Sequence, residues 1–565
     1  MEHQHTRFSF HSDLLAEKPA VNTLSGQIIQ TLYSFIQNGH VCVHEAVLID
    51  TVVNRFYQSA DFVKRSIEKL QKSNEIIIDV LPETSILERI IYLPPFYYAE
   101  KGFSKRFHAF LTIPVHIKYL KINPLLPEIE LKMLINLSAE QRWILSQILR
   151  YKTSIVTGCP GTGKTTLTRS ICLLLKRLNQ EIALAAPTGR AAQRLSELTQ
   201  FKAQTIHRLL AYHPDKNVFG RNELNPLDVD AIIIDEFSMV DILLIYHLIK
   251  ATPMNAILIF VGDRFQLPSV GPGNVLKDLI ASGRLPVFSL NTVFRHGENT
   301  TLAQNAILIN QGKQPNSTKM RFQYHRSNTD SFPELHLTPI QPTETSDPHF
   351  IFVEEDRVEM ILQGILWMCQ TWIPQKFGFD PVHDIQVMTP MHKGSLGTNH
   401  LNFSLQKHLN PADGFIVAHG RKFKSGDKVM HLKNNYEKEV YNGDIGIIHE
   451  INPLEQICRV NYQGRLVSYT IEELKELSLA YAITVHKSQG SEYPAIILPV
   501  VTQHYIMLQR NLLYTAVTRG KKLVCVIGSE KALNIALKNN RQETRYTLLS
   551  KRLKSKEGRE RLFLQ

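Results

Sequence analysis

The sequence predicts an α/β protein built on two parallel sheets, with a helical α+β domain ahead of them and a small β-barrel inserted in the second. Three observations carry this expectation. Gly158-Cys159-Pro160-Gly161-Thr162-Gly163-Lys164-Thr165 fits the phosphate-loop pattern G-x-x-x-x-G-K-[ST], between an apolar strand at 153–157 and an amphipathic helix at 166–178. Asp230-Ala231-Ile232-Ile233-Ile234-Asp235-Glu236 reads as a second buried strand that ends in two carboxylates. Ile385-Gln386-Val387-Met388-Thr389-Pro390 repeats the strand-then-turn pattern downstream, and short strands follow it, punctuated by Gly426-Asp427, Asn442-Gly443-Asp444 and Gln463-Gly464.

The phosphate loop says most about chemistry. Its glycines let the backbone turn tightly, so that successive N–H groups point inward at a polyphosphate. Gly158, Gly161, Thr162, Gly163, Lys164, Thr165 and Thr166 are the candidate nucleotide ligands. Lys164 would reach the β- and γ-phosphates, the Thr165 hydroxyl would ligate Mg²⁺, and the start of the next helix adds positive potential. Asp235 is the expected partner of Thr165 at Mg²⁺, through water, and Glu236 can position and deprotonate the attacking water. A further buried strand at 256–261 ends in Gly262-Asp263-Arg264-Phe265-Gln266, which sets Gln266 at an adjacent strand end to sense a γ-phosphate. Arg295, in Thr292-Val293-Phe294-Arg295, and Arg519, after Leu513-Tyr514-Thr515-Ala516-Val517-Thr518, are candidate arginine fingers. Gln141 follows the N-cap Ser138, and a glutamine there can pair its amide with both N6 and N7 of adenine.

A chain of 565 residues leaves room for about three to five domains. Hydrophobic residues at 43% and charged residues at 21% are ordinary for a globular protein. The net charge of +12 leans toward a polyanionic partner; a basic surface kept for solubility is the competing explanation. The six cysteines are scattered with no C-x-x-C pair, so neither a zinc site nor an iron–sulfur cluster is indicated. A cysteine inside the phosphate loop suits a reducing cytoplasm. No apolar signal core or membrane-length apolar run is present, so a soluble cytoplasmic protein without a membrane partner is expected.

Residues 1–20 are polar, and His3, His5 and His11 read as solvated. Between 21 and 81 three apolar faces mark three helices, and 75–80 is strand-like, the pattern of a winged helix. Nucleic-acid binding and protein docking both remain open there, since the third helix carries only Lys64, Arg65 and Lys69. A connector, Ile91-Tyr92-Leu93-Pro94-Pro95-Phe96-Tyr97-Tyr98-Ala99-Glu100, closes this N-terminal domain, taken as 1–120. The first sheet domain spans 121–313. In it a strand at 181–186 ends in Ala186-Pro187-Thr188-Gly189-Arg190, a turn that offers backbone and hydroxyl groups, Pro187 and Thr188 among them, at a sheet's carboxyl edge. Thr205-Ile206-His207-Arg208 is a similar polar tip, and 211–226 reads as a β-hairpin excursion with Tyr212 and Phe219. Residues 314–349 lose periodicity and read as a flexible linker or insertion with little core. The second sheet domain spans 350–565, with its barrel at about 415–475. Lys422, Lys424, Lys428, Lys433, Asn434, Asn435, Tyr436 and Lys438 interleave charge with an aromatic, as single-stranded nucleic acid requires, though a solvated edge strand would look the same. From Lys538 the tail holds nine basic and three acidic residues and reads as a helix packed on the second domain.

In this order Gln141, the phosphate loop, A-P-T-G-R-A-A, T-I-H-R-L, D-E-F-S-M-V, G-D-R-F-Q-L-P-S-V, V-F-R, A-Y-A-I-T-V-H-K-S-Q-G-S-E and Y-T-A-V-T-R resemble the motifs of superfamily 1 helicases, and within them the RecD-like branch. The resemblance runs from about 137 to 553, and the 91–100 connector resembles the piece before the motor in stand-alone RecD-like helicases. It implies two RecA-like motor domains with ATP and Mg²⁺ in the cleft between them and single-stranded DNA across their top. It implies that Arg295 and Arg519 act on the γ-phosphate from the second-domain side and that Glu492 contacts the ribose. It implies DNA contacts at Thr188, Arg190, Thr205, His207, Thr484 and His486, a strand-separating pin at 211–226, and an SH3-like barrel that closes over DNA. Asn435 joins the DNA set through the barrel's basic stretch.

The function expected is an ATP-dependent DNA helicase moving 5′ to 3′ on single-stranded DNA and opening tailed duplexes in repair or recombination. A monomer is expected, with protein partners accommodated through the N-terminal domain. Two alternatives stand beside it: the motor subunit of a multi-subunit recombination helicase-nuclease, and an ATP-driven single-strand translocase that does not unwind.

Overall fold

The computed structural model describes residues 23–80, 88–115, 117, 122–292, 299–325, 334–340, 348–435, 437–452, 455–540 and 544–554. Two parallel sheets dominate it. The first has six strands in the order Val287–Leu290, Thr153–Gly158, Ile257–Gly262, Ala231–Ile234, Ile182–Ala186 and Ala203–Thr205, every pair parallel. Its central strands are continuous apolar runs because helices cover both faces; all six residues of Ile257–Gly262 are buried. Lys164–Arg177 lays Leu167, Ile171, Leu174 and Leu175 on one face. Ile242–Ala251 lays Ile242, Ile245, Leu248 and Ile249 on the other.

The second sheet has seven strands in the order Glu334–Pro339, Thr318–His325, Phe350–Glu354, Gly520–Gly528, Tyr493–Val500, Ile385–Thr389 and Ala482–Thr484. Only the outermost pair is antiparallel. That pair corrects the expectation of a flexible linker at 314–349. Thr318–His325 alternates, with Met320 and Phe322 turned into the core and Lys319, Arg321 and Gln323 turned out, and Leu335 joins them from the partner strand. A strand that buries only every second residue is polar in composition while still structured. Residues 326–333 and 341–347 lie outside the described residues.

Between Thr398–Leu409 and Ala482–Thr484 the chain forms the barrel. A five-stranded antiparallel sheet runs Arg465–Thr470, Ile457–Tyr462, Ile445–Asn452, Lys428–His431, Leu477–Leu479, and the hairpin Phe415–Ala418 with Arg421–Lys424 packs on it. Phe423, Val429, Ile448, Val460 and Tyr469 give it a core of its own.

The N-terminal region has helices Leu24–Gln37, Glu45–Phe56 and Ala60–Lys72 on a three-stranded antiparallel sheet, with Arg89–Tyr92 between Val43–His44 and Ile77–Val80. The stretch expected to be a connector is therefore the central strand and then a helix, Pro94–Thr112. Pro94 and Pro95 start that helix, where the missing N–H costs nothing. Phe96, Phe103, Phe107 and Phe110 bury one face of it in a core shared with the first parallel sheet.

The tail is the second correction. After Glu530–Lys538 on the second sheet, residues 544–554 cross to the first domain. Val41 and Cys42 donate their N–H groups to the Tyr546 carbonyl at 2.8 and 3.3 Å. Arg545 donates to the carbonyls of Ser269, Gly271 and Gly273 at 2.7, 2.9 and 2.6 Å. Leu549–Lys554 packs on Val275–Ser282 and Pro94–Thr112. At the junction Glu100 is fully buried and accepts from Tyr92 Oη (2.8 Å), Thr547 Oγ1 (2.6 Å), Leu548 N (2.9 Å) and Arg552 Nε (3.2 Å). A buried carboxylate needs partners of this number, and a tail holding these partners cannot lie on the second domain. Among the described residues no helix is long and apolar enough to cross a membrane.

Candidate nucleotide cleft and nucleic-acid surface

The loop strand Thr153–Gly158 is wholly buried and delivers the phosphate loop at its carboxyl end. Gly161 and Gly163 adopt φ of 81° and 80°, the left-handed region that favours glycine. A Cβ on Gly158 would lie 2.6 Å from Thr162 Oγ1 and 2.8 Å from the Leu290 carbonyl, so only glycine fits there. Thr162 Oγ1 donates to the Cys159 carbonyl at 2.8 Å and braces the loop. Lys164 Nζ donates to the carbonyls of Gly158 and Cys159 at 2.6 and 3.0 Å, which folds the ammonium over the loop.

A cleft of about 290 Å³ opens beside this loop. Gly161, Gly163, Lys164, Thr165, Thr166, Asp235, Glu236 and Gln266 line it from the first sheet, and Gly490, Glu492 and Arg519 from the second. Asp235 follows Ala231–Ile234 and accepts the Glu236 N–H at 2.8 Å. Burial, then the Glu236 carboxylate beside it, push Asp235 up to about 6, against the pull of Lys164 and Arg194. Glu236 itself sits at φ 49°, ψ 39°, a left-handed conformation costing a non-glycine residue roughly 1 kcal/mol or more. Gln266 is 5% exposed; its Nε2 donates to Asp263 Oδ2 at 3.4 Å and its Oε1 is buried with no hydrogen-bond partner.

A nucleoside triphosphate with Mg²⁺ fits this set of groups. Thr165 and Asp235 offer the hard oxygen ligands that Mg²⁺ takes. Adjacent carboxylates, one of them pushed up by burial and then by the other, are a place where a cation is stabilising. Among the described residues the ammonium of Lys164 bonds backbone carbonyls alone, and the Gln266 acceptor has no partner.

Arg519 enters from the second sheet. It is 3% exposed, and its Nε, Nη1 and Nη2 donate to Thr515 O, Ser491 O and Thr518 Oγ1 at 3.2, 3.2 and 3.3 Å. Three neutral acceptors hold the fork in place. Arg295 lies outside the described residues. Gln141 is buried and engaged: its Oε1 accepts the Ser138 N–H at 3.0 Å in a capping box, and its Nε2 donates to the Gly163 carbonyl at 3.4 Å. Its amide faces the helix cap and the loop, so an adenine contact would have to share it. The sequence reading missed Arg194, whose Nη2 pairs with Glu492 Oε1 across the cleft. The one available signal was its place four residues after Arg190 on Gly189–Thr199, hence on the same helix face.

The candidate nucleic-acid residues cluster at the carboxyl ends of both sheets. Pro187 is half-buried beside Thr188, and Thr188 caps Gly189–Thr199 by accepting the Ala191 N–H at 3.3 Å. Thr205, on the neighbouring strand, caps Ile206–Leu209 in the same way. Thr484 is buried and accepts the Lys487 N–H at 3.3 Å. Arg190 reaches from the first domain to Tyr493 of the second, its guanidinium 5.0 Å from the ring centroid. His486 is half-buried, and burial lowers its pKa, with Arg545 and His392 adding to the effect. Asn435 sits in the barrel, bridged to Val440 and accepting the Lys438 N–H at 3.0 Å.

Three further expectations change. The barrel's basic stretch does not form one face: Lys428 is buried and donates to the Ile385 carbonyl, and Lys438 pairs with Glu473 at 2.6 Å. Tyr436 lies outside the described residues. The 211–226 excursion is a hairpin only over Tyr212–His213 and Val218–Phe219. Its aromatics point inward: Phe219 is 8% exposed, with its ring 4.6 Å from His247, and Tyr212 packs between Phe219 and His207. The barrel nevertheless meets the first domain, where Arg208 donates to Tyr441 Oη at 3.2 Å and Gln193 to Gln463 Oε1 at 2.7 Å.

Two parallel sheets facing one phosphate-loop cleft, with a barrel inserted in the second, define a nucleotide-binding protein of the two-domain motor class. Family models agree piece by piece: an AAA domain matches 141–272, the ATP-dependent RecD-like DNA helicase SH3 domain matches 401–462, and the UvrD-like helicase C-terminal domain matches 479–527. The chain is 30% identical over 446 residues to the RecBCD enzyme subunit RecD of Mycolicibacterium smegmatis, covering 74% of this chain and 75% of that one. It is 34% identical over 465 residues to the ATP-dependent RecD2 DNA helicase of Deinococcus radiodurans, covering 82% of this chain and 59% of that protein's length. Among solved structures, Pif1 helicase from Candida albicans matches at 17% identity and a TM-score of 0.43, over 72% of this chain and 98% of that one. The chain belongs to the RecD-like family of superfamily 1 helicases, and its two sheets are RecA-like domains.

Proposed function

We propose that the protein is an ATP-dependent DNA helicase that moves 5′ to 3′ along single-stranded DNA and opens tailed duplexes, in repair or recombination. One observation carries the reading. The cleft takes Lys164, Asp235 and Glu236 from one sheet and Arg519 and Glu492 from the other, so its occupancy and the spacing of the sheets are coupled. Lys164 binds the β- and γ-phosphates, Thr165 and Asp235 hold Mg²⁺, and Glu236 takes the proton of the attacking water. Mg²⁺ supplies neutralisation of phosphate charge. Gln266 touches the γ-phosphate end and passes its state on: the next residue, Leu267, accepts from Gln489 and donates to Thr515, both of the second domain. Arg519 offsets the charge that redistributes in the transition state, with Arg295 acting beside it. Glu492 orients the ribose and Gln141 the base.

Closure and opening of the cleft then alternate the grip of the two domains on a strand lying across Thr188, Arg190, Thr205, His207, Thr484 and His486, with Asn435 and the barrel above it. The hairpin at 212–219 divides the duplex. The working form is a cytoplasmic monomer. A second reading has support in the match to a RecBCD subunit over three quarters of its length: a motor subunit that docks through its N-terminal domain. The test of both is unwinding by the isolated chain with ATP and Mg²⁺ on duplexes bearing either a 5′ or a 3′ tail. Opening of the 5′-tailed duplex alone supports the first reading. Single-strand-stimulated ATPase with no opening of either duplex overturns the first, and the second then requires that unwinding return when a partner subunit is added.

A further inference from the structure

The helix Ile242–Ala251 contributes nothing to the lining of the nucleotide cleft, yet it is gripped from two sides. From the N-terminal domain, Pro94–Thr112 lies so close that a Cβ on Gly102 would sit 2.6 Å from Tyr246 Cε2. Arg106 reaches across from the same helix and donates to the carbonyls of Ile249 (Nε, 2.8 Å) and Lys250 (Nη2, 3.1 Å). These are last-turn carbonyls with no partner inside their own helix, at its negative end. From the other side comes the 212–219 hairpin. Phe219 lies 4.6 Å, ring to ring, from His247, the residue after Tyr246. In the stretch just after the hairpin, Glu223 pairs with Lys250 Nζ at 3.2 Å, and Leu227 N–H donates to the Ala251 carbonyl at 2.9 Å.

A hairpin of two paired residues per strand is marginal by itself in water. One that divides a duplex also has to resist the load of each opening step. The contacts from Pro94–Thr112 fall on Tyr246 and the last turn, beside the His247 ring on which Phe219 rests. We propose that Gly102 and Arg106 of the N-terminal domain are positioning residues for the strand-dividing hairpin, acting through Tyr246, His247 and Lys250. The assignment rests on the helicase reading above for its functional half, and on the contacts themselves for its structural half.

The test uses the full chain with three variants: Arg106→Ala, Arg106→Lys and Gly102→Ala. Arg106→Ala should keep single-strand-stimulated ATPase and single-strand affinity within about twofold while unwinding falls roughly tenfold, the split expected when coupling and not chemistry is lost. Lysine still reaches a terminal carbonyl, so Arg106→Lys should recover part of the unwinding. Gly102→Ala pushes on Tyr246 without removing a charge and should give the same split. Hydrogen exchange at the amides of 212–219 should speed up in Arg106→Ala and Gly102→Ala, a readout that needs no helicase activity. Parent-level unwinding by Arg106→Ala, or unchanged exchange at the hairpin, overturns the proposal. A chain lacking the hairpin tip that still unwinds, with faster hairpin exchange in Arg106→Ala, instead overturns the role given to the hairpin and leaves the brace standing.

Discussion

Arg194 Nη2 lies 2.7 Å from Glu492 Oε1, and this pair ties the first motor sheet to the second across the nucleotide cleft. Lys521 stands 3.9 Å from the other carboxylate oxygen, too far to direct it alone. Arg194 therefore holds the Glu492 carboxylate in place at the mouth of the cleft. Arg194→Ala should raise KM for ATP several-fold and leave kcat within about twofold, the pattern of lost uniform binding. Steady-state ATPase kinetics on saturating single-stranded DNA measure it, and an unchanged KM would remove Arg194 from the site.

Lys164 and Glu236 should separate binding from turnover. Lys164→Ala removes the charge folded over the loop and should weaken nucleotide binding directly. Glu236→Gln keeps the left-handed backbone and the shape of the side chain but not the base, so ATP should bind while turnover falls by about 10²–10⁴. Nucleotide titration beside ATPase rates tests both. Near-parental hydrolysis by Glu236→Gln would mean that another group takes the proton.

Arg519 is held by three neutral acceptors, which fixes the plane of its guanidinium before nucleotide arrives. Its charge counts most as negative charge redistributes on the γ-phosphate, so Arg519→Ala should cost about 10³ or more in kcat and little in ATP affinity. Lysine has no planar fork and should not rescue it. Arg295→Ala should behave alike. Full DNA-stimulated ATPase in either variant would dismiss that arginine as a finger.

Much of this cleft was legible in the sequence, for a physical reason. Parallel strands buried on both faces, such as Ile257–Gly262, are unbroken apolar runs, and the residues after them are forced to the carboxyl edge. What stayed hidden depends on partners far away in the chain. Arg545 bonds the carbonyl of Gly273, 272 residues earlier, and a backbone carbonyl leaves no mark on composition. Thr318–His325 looked like a linker because only every second residue, Met320 and Phe322, turns into the core. The burial of Phe219 stayed hidden too, because nothing local announces His247 beneath it.

The buried junction of the tail should give stability a pH slope. Burial, then the Glu100 carboxylate, push Asp278 up to about 7, above the roughly 3.9 of an unfolded aspartate. Between those values the folded chain holds a proton that the unfolded chain releases. Stability should therefore fall as pH rises through the window, by up to ~1.4 kcal/mol per pH unit. Asp278→Asn keeps a partner for Thr547 Oγ1, which lies at 3.2 Å, and should flatten the slope. Urea midpoints from pH 5 to 8 measure this; equal slopes in parent and variant would count against it.

The hairpin makes the sharpest prediction about unwinding, and the structure changes its form. Stacking on a base is worth roughly 1–3 kcal/mol, comparable to the ~1.4 kcal/mol average of a pair step. Phe219 cannot supply it, being buried against His247, and Tyr212 is tied by its hydroxyl to Asn217 Oδ1 at 2.7 Å. The parts free to meet a duplex are Pro214, Asp215 and Lys216, which are exposed at the tip. The hairpin would thus divide strands by blocking one of them. Replacing 213–218 by Asn-Gly closes a two-residue turn with Tyr212 still opposite Phe219, so the inward packing survives and only the tip is lost. That chain should keep its single-strand-stimulated ATPase within about twofold and lose unwinding of a 5′-tailed duplex by tenfold or more. Phe219→Ala should act differently, destabilising the fold by roughly 3–5 kcal/mol, because it empties the core beside His247. Unwinding that survives the tip replacement would move strand division elsewhere, to the barrel beside Arg208 and Tyr441 first of all. Preference for a 3′ tail by the parent chain would reverse the polarity proposed for it.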